Sequence, residues 1–145
     1  GQGAADTADG PSGVHVAMSN TRNTPVEALE VAYPLQVVRY RLRHGTGGAG
    51  RQRGGDGLER ALRVLVPVEV SVLAERRLTG PPGRAGGAAG APGRTTVNGV
   101  AVAAKWRGAL VAGDEIVIES PGGGGYGAPG QKPETAPTPT IDQIE

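Results

Sequence analysis

The side chains best suited to bind a polar ligand lie in one short run near the start of the chain. Five consecutive residues there are hydrogen-bond donors or acceptors: Asn20, Thr21, Arg22, Asn23 and Thr24. Amide, hydroxyl and guanidinium groups in such a cluster can orient the polar atoms of a small substrate. The run also has the composition of a capping turn, because Thr24 and Glu27 have capping-box spacing around Pro25. Both interpretations stay open at this point.

Catalysis by a nucleophile or a metal finds little support elsewhere in the chain. It has no cysteine and only two histidines, His15 and His44. The chain lacks the G-x-S-x-G sequence that presents a nucleophilic serine, so neither histidine has such a serine to activate. No spacing of His with Asp or Glu predicts a metal site. We therefore predict structural roles for both histidines and no metal ligands.

Glycine-rich loops suggest anion binding, because consecutive backbone N–H groups can hold a phosphate. The P-loop sequence G-x-x-x-x-G-K-[ST] is absent, however, and residues 122–127 do not lead into a helix. Arg-Gly steps in residues 50–57 and 83–87 are similar to RNA-binding segments, but the aromatic residues of the basic region, Tyr40 and Trp106, lie outside them. We predict no nucleotide or nucleic-acid site, and expect the glycines to let backbones approach closely.

The net charge of +1 hides a strong segregation of charge along the chain. Residues 39–107 carry 13 of the 15 Lys and Arg residues and only four acids, whereas both flanking regions are acidic. Arginine outnumbers lysine by 13 to 2, which favours bidentate contacts with carboxylate or phosphate. One function compatible with this pattern is a non-enzymatic, Arg-rich anion-binding or assembly module.

Alternation of apolar and polar residues predicts a mostly β fold with short helical turns and long Gly-rich loops. The predicted elements are strands at 14–18, 35–43, 58–66, 68–74, 95–104 (a hairpin turning at Asn98-Gly99) and 110–120 (with a turn at Gly113-Asp114), and a helical turn at 26–31. In the clearest strand, Arg39, Arg41 and Arg43 all point to one face. Three guanidiniums are not buried unpaired, so they must meet solvent, carboxylates or a partner.

Segments that direct a protein to a membrane are missing from the sequence. No apolar run approaches 18 residues, and residues 1–10 have neither the basic nor the apolar part of a secretory signal. Together with the absence of cysteine, this predicts a cytoplasmic protein. Phe is absent and there is one Trp, so the core has few large side chains. The first residue is Gly rather than Met, which suggests that the chain begins inside a longer protein.

Five motifs follow one another in a distinctive order. They are the run from Asp9-Gly10-Pro11-Ser12-Gly13 to Glu27; Gly47–Gly55; Glu75-Arg76-Arg77 with Pro81-Pro82-Gly83 and Gly90–Gly93; Gly113-Asp114; and Pro121–Gly127. Together they resemble the C-terminal part of the hydantoinase B/oxoprolinase family, over residues 9–129. Each motif alone is weak, but five in one order are specific. We expect residues 1–8 to be a flexible lead or a truncated junction, and residues 130–145 to be a disordered tail.

The resemblance implies a place in an ATP-dependent complex. B-type subunits of this family work with a hydantoinase A-type subunit, which uses ATP with Mg²⁺ to phosphorylate the carbonyl oxygen of a lactam or imide. The B-type subunit then completes ring opening with water, on substrates such as 5-oxoproline and hydantoins. Related subunits occur in acetone and acetophenone carboxylases. The implied fold is the C-terminal, β-rich segment of a larger α+β subunit, inactive alone, binding no cofactor itself, and with any divalent metal held in the N-terminal part.

The resemblance also implies roles for residues, although it assigns no catalytic residue within this chain. The candidates for orienting substrate are Asn20, Thr21, Arg22, Asn23 and Thr24. The candidates for contacting phosphate or the partner subunit are Arg51, Arg53, Gly54 and Gly55. The candidates for lining the cavity are Gly122, Gly123, Gly124 and Gly125, with Tyr126 as a lid or wedge. The arginines of strand 35–43 are expected to pair with acids from the N-terminal part or from a neighbouring subunit.

Overall fold

The computed structural model describes residues 1–15 and 23–130, and the fold is mostly β, as predicted. In chain order the elements are α1 (Val26–Ala32), β1 (Leu35–Arg43), β2 (Gly57–Val64), β3 (Val68–Leu73), β4 (Arg94–Val97), β5 (Val100–Ala101), β6 (Lys105–Leu110) and β7 (Glu115–Glu119). The strands form two antiparallel sheets. The glycine-rich segments outside the strands pack against one another through their backbones.

The larger sheet has five strands in the order β1-β2-β7-β4-β5. Successive side chains of a strand point to opposite faces, so each strand contributes to both sides of the sheet. One face carries arginines and glutamates from neighbouring strands, such as Arg41 of β1 opposite Glu59 of β2. The other face carries apolar residues, such as Leu62 of β2 opposite Ile116 of β7.

The smaller sheet consists of β3 and β6, paired from Val68 opposite Leu110 to Leu73 opposite Lys105. Side chains of β3 line a cleft together with apolar residues of the larger sheet. Within the described residues, the buried apolar side chains are few and of modest size: Ala61, Val64, Val72, Leu110 and Ile116. The two sheets therefore enclose a modest core, as the lack of Phe predicts.

The glycine-rich segments are ordered and pack side by side in a glycine bundle, formed by residues 1–11, 46–55, 80–91 and 122–127. Gly122–Gly125 are buried at its centre. A Cβ on Gly122 would overlap Thr46, one on Gly123 would overlap Gln2, one on Gly124 would overlap Pro82, and one on Gly125 would overlap Ala49. Successive residues thus face different neighbouring segments, and the fourth returns to the first. Three residues per turn is the repeat of a polyproline II helix.

Backbone hydrogen bonds between segments hold the bundle together, because a polyproline II helix has none within itself. The Gly48 N–H donates to the carbonyl of Gly123 at 2.8 Å, and the Gly123 N–H donates to that of Gly55 at 2.8 Å. The Gly125 N–H donates to Ala88 at 2.9 Å. Segments this close leave no space for side chains, which explains why these positions are glycine.

Most predicted elements are confirmed, with the strand at 35–43 matching β1 residue for residue. The helical turn and the hairpin at Asn98-Gly99 are also confirmed. Strand β6 was not predicted, because Gly108 interrupts the alternation; Trp106 covers the space beside that glycine. The capping box is wrong: the N-cap of α1 is Pro25, and no side chain caps the helix.

The predictions for the N-terminal segment can be compared with the structure in part, and most of the predicted C-terminal tail lies outside the described residues. Val14 and His15 are not in a strand, and the rest of the predicted strand at 14–18 lies outside the described residues. Residues 1–8 contribute to the bundle rather than standing apart from it, since the N–H groups of Gln2 and Ala4 donate to Pro11 and Gly124. The predicted tail lies outside the described residues from position 131 onward.

Candidate functional site

Two of the three predicted groups of site residues meet in the glycine bundle. Residues 51–55 run beside residues 122–126, where Gln52 and Tyr126 exchange two backbone hydrogen bonds of 2.9 Å. The Arg84 N–H donates to Gly125 on the other side, and Arg84 also forms a bridge with Tyr126. Tyr126 therefore lies between two neighbouring segments of the bundle. Its role as a lid or wedge stays a prediction.

The third predicted group lies elsewhere, so far as the structure describes it. The Asn23 side chain donates to the hydroxyl of Tyr40 at 3.1 Å, and both Asn23 and Thr24 are exposed. Asn20, Thr21 and Arg22 lie outside the described residues. Within the described residues, Asn23 thus contacts β1 rather than the bundle, and its substrate-orienting role stays a prediction.

The two arginines predicted to contact phosphate each pair with an acid of the same chain. Arg51 pairs with Asp6 of the N-terminal segment. The Arg53 guanidinium donates to Asp56 at 2.9 Å, and its backbone N–H donates to Asp9 at 2.7 Å. The Arg53 side chain is 49% exposed, against 18% for Arg51. Arg53 is thus the more accessible of the two to a ligand or partner.

Asp56 joins the bundle to the larger sheet, and it is only 5% exposed. Its carboxylate accepts backbone N–H groups from Thr46 at 3.0 Å and from Gly47 at 2.9 Å, in addition to the Arg53 guanidinium. Burial raises the pKa of this carboxyl, but the N–H donors and the arginine charge outweigh it and hold the pKa below its usual value. Its backbone N–H also donates to the Ser12 hydroxyl. Asp56 therefore fixes the start of β2 against three segments.

The charged face of the larger sheet carries arginines and glutamates, and each of three glutamates forms ion pairs with two arginines. Glu59 accepts from Arg39 at 2.8 Å and from Arg41 at 2.9 Å. Between described residues, the pairs on this face are Arg39 and Arg41 with Glu59, Arg39 and Arg63 with Glu115, and Arg43 and Arg94 with Glu119. The expectation that Arg39, Arg41 and Arg43 pair with acids outside this chain is therefore wrong. The order of the strands explains the difference. Because β1 and β7 lie on either side of β2, the β1 arginines are close to glutamates of β2 and β7.

These contacts shift the titration of both partners in the direction of a stable ion pair. Hydrogen bonds from Arg39 and then Arg41 lower the pKa of Glu59, although burial opposes them. The hydrogen bond to Glu59 raises the pKa of Arg39. Sequence analysis missed Glu59, Asp56 and Glu119. The first could have been found by alternation, because Glu59 shares a strand face with Ala61 and Arg63.

Three N–H groups at the centre of the bundle are not free to bind an anion. The N–H groups of Gly122, Gly123 and Gly125 already donate to carbonyl oxygens of Ala91, Gly55 and Ala88. Such N–H groups cannot also form a phosphate nest. Within residues 1–15 and 23–130, no three His, Cys, Asp or Glu side chains lie close enough to hold a metal ion. No helix in that part of the chain is long and apolar enough to cross a membrane.

The order of glycine motifs and the fold agree with one known family. The family model described as hydantoinase B/oxoprolinase matches residues 1–129. The chain belongs to the hydantoinase B/oxoprolinase family. The match begins eight residues before the resemblance seen in the sequence, in the segment that contributes to the bundle.

Similar proteins are much longer than this chain. 5-Oxoprolinase 1 of Arabidopsis thaliana is 40% identical over an alignment of 133 residues, and the match covers 88% of this chain and 10% of that protein. The crystal structure of an ATP-dependent caprolactamase from Pseudomonas jessenii matches with a TM-score of 0.61 and 29% identity, over 76% of this chain and 21% of that one. An acetone carboxylase structure has the same TM-score at 16% identity, over 87% of this chain and 22% of its own, and shows the fold alone. This chain spans about a tenth to a fifth of the length of such relatives.

Proposed function

We propose that this chain is part of the ring-opening, B-type subunit of an ATP-dependent cyclic-amide hydrolase, acting on 5-oxoproline, a hydantoin or a similar lactam. The observation that carries the proposal is the family match over residues 1–129. The likeness to a caprolactamase at 29% identity supports a lactam as the substrate class. The alternative of a carboxylase has only a fold likeness in its favour.

The described residues support a structural and interface role rather than a complete active site. The three glutamates of the charged face and Asp56 are each held by arginines, and the N–H groups of the bundle core are used within the chain. We propose that the base and any metal needed for ring opening belong to other residues of the subunit. We infer that the chain is inactive alone, and that ATP and Mg²⁺ are bound by an A-type subunit.

Arg53 is the best candidate for a contact with that partner or with a phosphorylated intermediate. Its guanidinium pairs with Asp56 through one nitrogen, and about half of its side chain is exposed. A guanidinium has five N–H donors, so one ion pair leaves donors for a phosphate. The neighbouring Gly54 and Gly55 are buried and act as spacers for backbone packing.

The test uses a chimera in which this chain replaces the matching segment of the caprolactamase. Release of phosphate and opening of caprolactam are measured together, with the parent enzyme and the isolated 145-residue chain as references. We expect turnover by the chimera and none by the isolated chain. A chimera that folds and binds its partner but hydrolyses ATP without opening the ring would contradict the proposed role. Robust turnover by the isolated chain would contradict its dependence on other residues.

An Arg-rich anion-binding module is the alternative, favoured by the exposed side chains of Arg41 and Arg94, at 64% and 63%. Both arginines nevertheless contact glutamates, which reduces the charge available to a polyanion. Binding of an oligonucleotide with a steep salt dependence would support the alternative. Absence of binding at low salt would remove it.

A further inference from the structure

The two sheets leave an apolar cleft of about 250 Å³ between them. Its lining includes Leu35, Leu62, Val64, Val72, Ile116 and Ile118. Whole small-molecule sites are usually larger, at about 300 to 1,000 Å³. The cleft has the size of a site for one or two aliphatic side chains.

An unpaired strand edge borders the cleft. Ser71, Leu73 and Ala74 of the β3 segment line it, and in the described part of the chain β3 forms its ladder with β6 alone. The backbone groups on the other edge of such a strand are a template for another extended chain. Leu73 is 83% exposed at this edge, which is unfavourable for a large apolar side chain in water. The edge therefore has both the backbone groups and the apolar surface that strand addition uses.

One charged side chain lines the cleft among the apolar ones. Arg77 donates to the carbonyl of Glu119 at 2.9 Å and to the hydroxyl of Thr95 at 3.3 Å, which are both neutral acceptors. Its Nε atom is buried without a hydrogen-bond partner, and in the described residues no carboxylate lies within ion-pair distance of Arg77. Burial, and then the charge of Arg43, lower the pKa of Arg77, and the opposing charge of Glu119 does not outweigh them. Within the described residues Arg77 thus has no carboxylate in ion-pair contact, unlike the neighbouring Arg43, which pairs with Glu119.

The position of Arg77 is built into the backbone on both sides of it. Arg76 has a φ of +57°, a left-handed conformation that is uncommon for a residue with a side chain. Gly93 lies against the guanidinium, and a Cβ there would overlap Nη1. A strained residue before Arg77 and a glycine against its guanidinium hold this charge in the lining of the cleft, and such local strain is found at binding sites.

We propose that an extended polypeptide segment adds to the free edge of β3, places aliphatic side chains in the cleft and sets a carboxylate beside Arg77. Its source is the part of the B-type subunit that this chain does not span, so the inference rests on the proposed function. Similar proteins are about four to nine times as long as this chain, which leaves ample polypeptide to supply one strand. Alternate side chains of an added strand point to the same face, which matches an apolar cleft with one charge in its lining.

The first test uses designed peptides and the 145-residue chain. One acetylated decapeptide alternates Val and Ile with Thr and has a single Glu; its counterpart has Gln in place of Glu. We expect the Glu peptide to bind about tenfold more tightly, a difference of about 1.4 kcal/mol. Arg77→Met is expected to abolish that preference, whereas Arg84→Met, at an exposed arginine of the bundle, keeps it. Equal binding of both peptides, or no binding, overturns the proposal.

A second measurement guards against a variant that fails to fold. Leu73→Asp changes an exposed side chain, so it leaves the fold intact and is expected to weaken the Glu peptide at least tenfold. Hydrogen exchange at the β3 amides of the unaltered chain is expected to slow when the peptide binds. A peptide N-methylated on its pairing edge is expected not to bind. Unchanged binding by the N-methylated peptide overturns strand addition.

The source of the segment is tested with three further probes. Overlapping peptides are tiled from the part of the caprolactamase subunit outside its match to this chain, and a peptide of residues 131–145 and concentration-dependent self-association are measured beside them. A tile with alternating aliphatic residues and an acid is expected to compete with the Glu peptide. Competition only by residues 131–145, or only by a second copy of the chain, overturns the proposed source. The chimera assay of the proposed function does not depend on these peptides, so the two can fail separately.

Discussion

The larger sheet and the glycine bundle are held together by opposite means. The sheet uses side chains: aliphatic residues on one face and arginines bridged by glutamates on the other. The bundle uses almost none, because its central residues have no side chain and its segments meet through backbone N–H and carbonyl groups. Burial of aliphatic groups stabilises the first, and hydrogen bonds of about 0.5–1.5 kcal/mol each stabilise the second.

This difference determines how each region responds to substitution. Side chains in the sheet can be exchanged for others of similar size, with modest costs. Glycines in the bundle core cannot, because any Cβ meets backbone atoms that belong to another segment and cannot move alone. The bundle is therefore expected to lose more stability from one methyl group than the charged face loses from one charge.

The largest effect is expected from Gly124→Ala. Its Cβ would overlap the carbonyl of Pro82, so the central segment or its neighbour must shift, at a cost of about 3 kcal/mol or more. Urea denaturation followed by circular dichroism measures the loss. The matched control is Gly3→Ala in the same bundle, where the nearest atom to the new Cβ is 3.7 Å away. Equal stability of the two variants would show that the segments are not packed as described.

Asp56→Asn is expected to rank second, because it acts where the two regions meet. The change removes the charge from a buried group that accepts N–H groups of Thr46 and Gly47 and pairs with Arg53. A loss of about 2–3 kcal/mol is expected, because the buried carboxylate loses charge-assisted hydrogen bonds to two backbone N–H groups and to a half-exposed guanidinium. Asp114→Asn, whose carboxylate caps an exposed turn at Val111, is the control and is expected to cost less. A smaller loss for Asp56→Asn than for the control would contradict a central role for Asp56.

Glu59→Gln is expected to have the smallest of the three effects, about 1–2 kcal/mol from hydrogen bonds to charged partners. The folded pKa of Glu59 is lowered, so its contribution is present above the usual carboxyl range and is lost as pH falls through the folded pKa. The variant should therefore lose less stability than the unaltered chain between about pH 5 and pH 3. Glu69→Gln, which breaks an exposed pair with Arg107, is the control, with a change below about 0.5 kcal/mol. An acid dependence identical in both variants would contradict the account.

The sequence predicted the sheet better than the bundle, for a physical reason. Alternation over residues 35–43 gave β1 and both of its faces, because side-chain pattern reports strand geometry directly. A run such as Pro121–Gly127 has almost no side chains. Its sequence therefore indicates that another backbone can approach closely, but it does not identify the neighbouring segment. The partner segments, among them residues 1–11, become visible only in three dimensions.

The candidate site shows the same limit. Arg51 and Arg53 were selected for their chemistry, but Asp6 and Asp56, which hold them, are respectively 45 and three residues away in sequence. Likewise, the partners of the β1 arginines depend on which strands flank β2, and one sequence does not contain that register. The order of the motifs identified the family without this information, because the resemblance depends on the order and spacing of the glycines along the sequence.

Backbone hydrogen exchange can establish whether the glycine-rich segments form one packed bundle. Amide exchange is measured in the 145-residue chain for Gly48, Gly54 and Gly123, which donate within the bundle, and for the β2 amides that pair with β7. We expect the bundle amides to exchange within about tenfold of the β2 amides, since both open only when the domain does. Exchange of the glycine amides at the rate of an unstructured chain, beside a protected β2, would contradict the account.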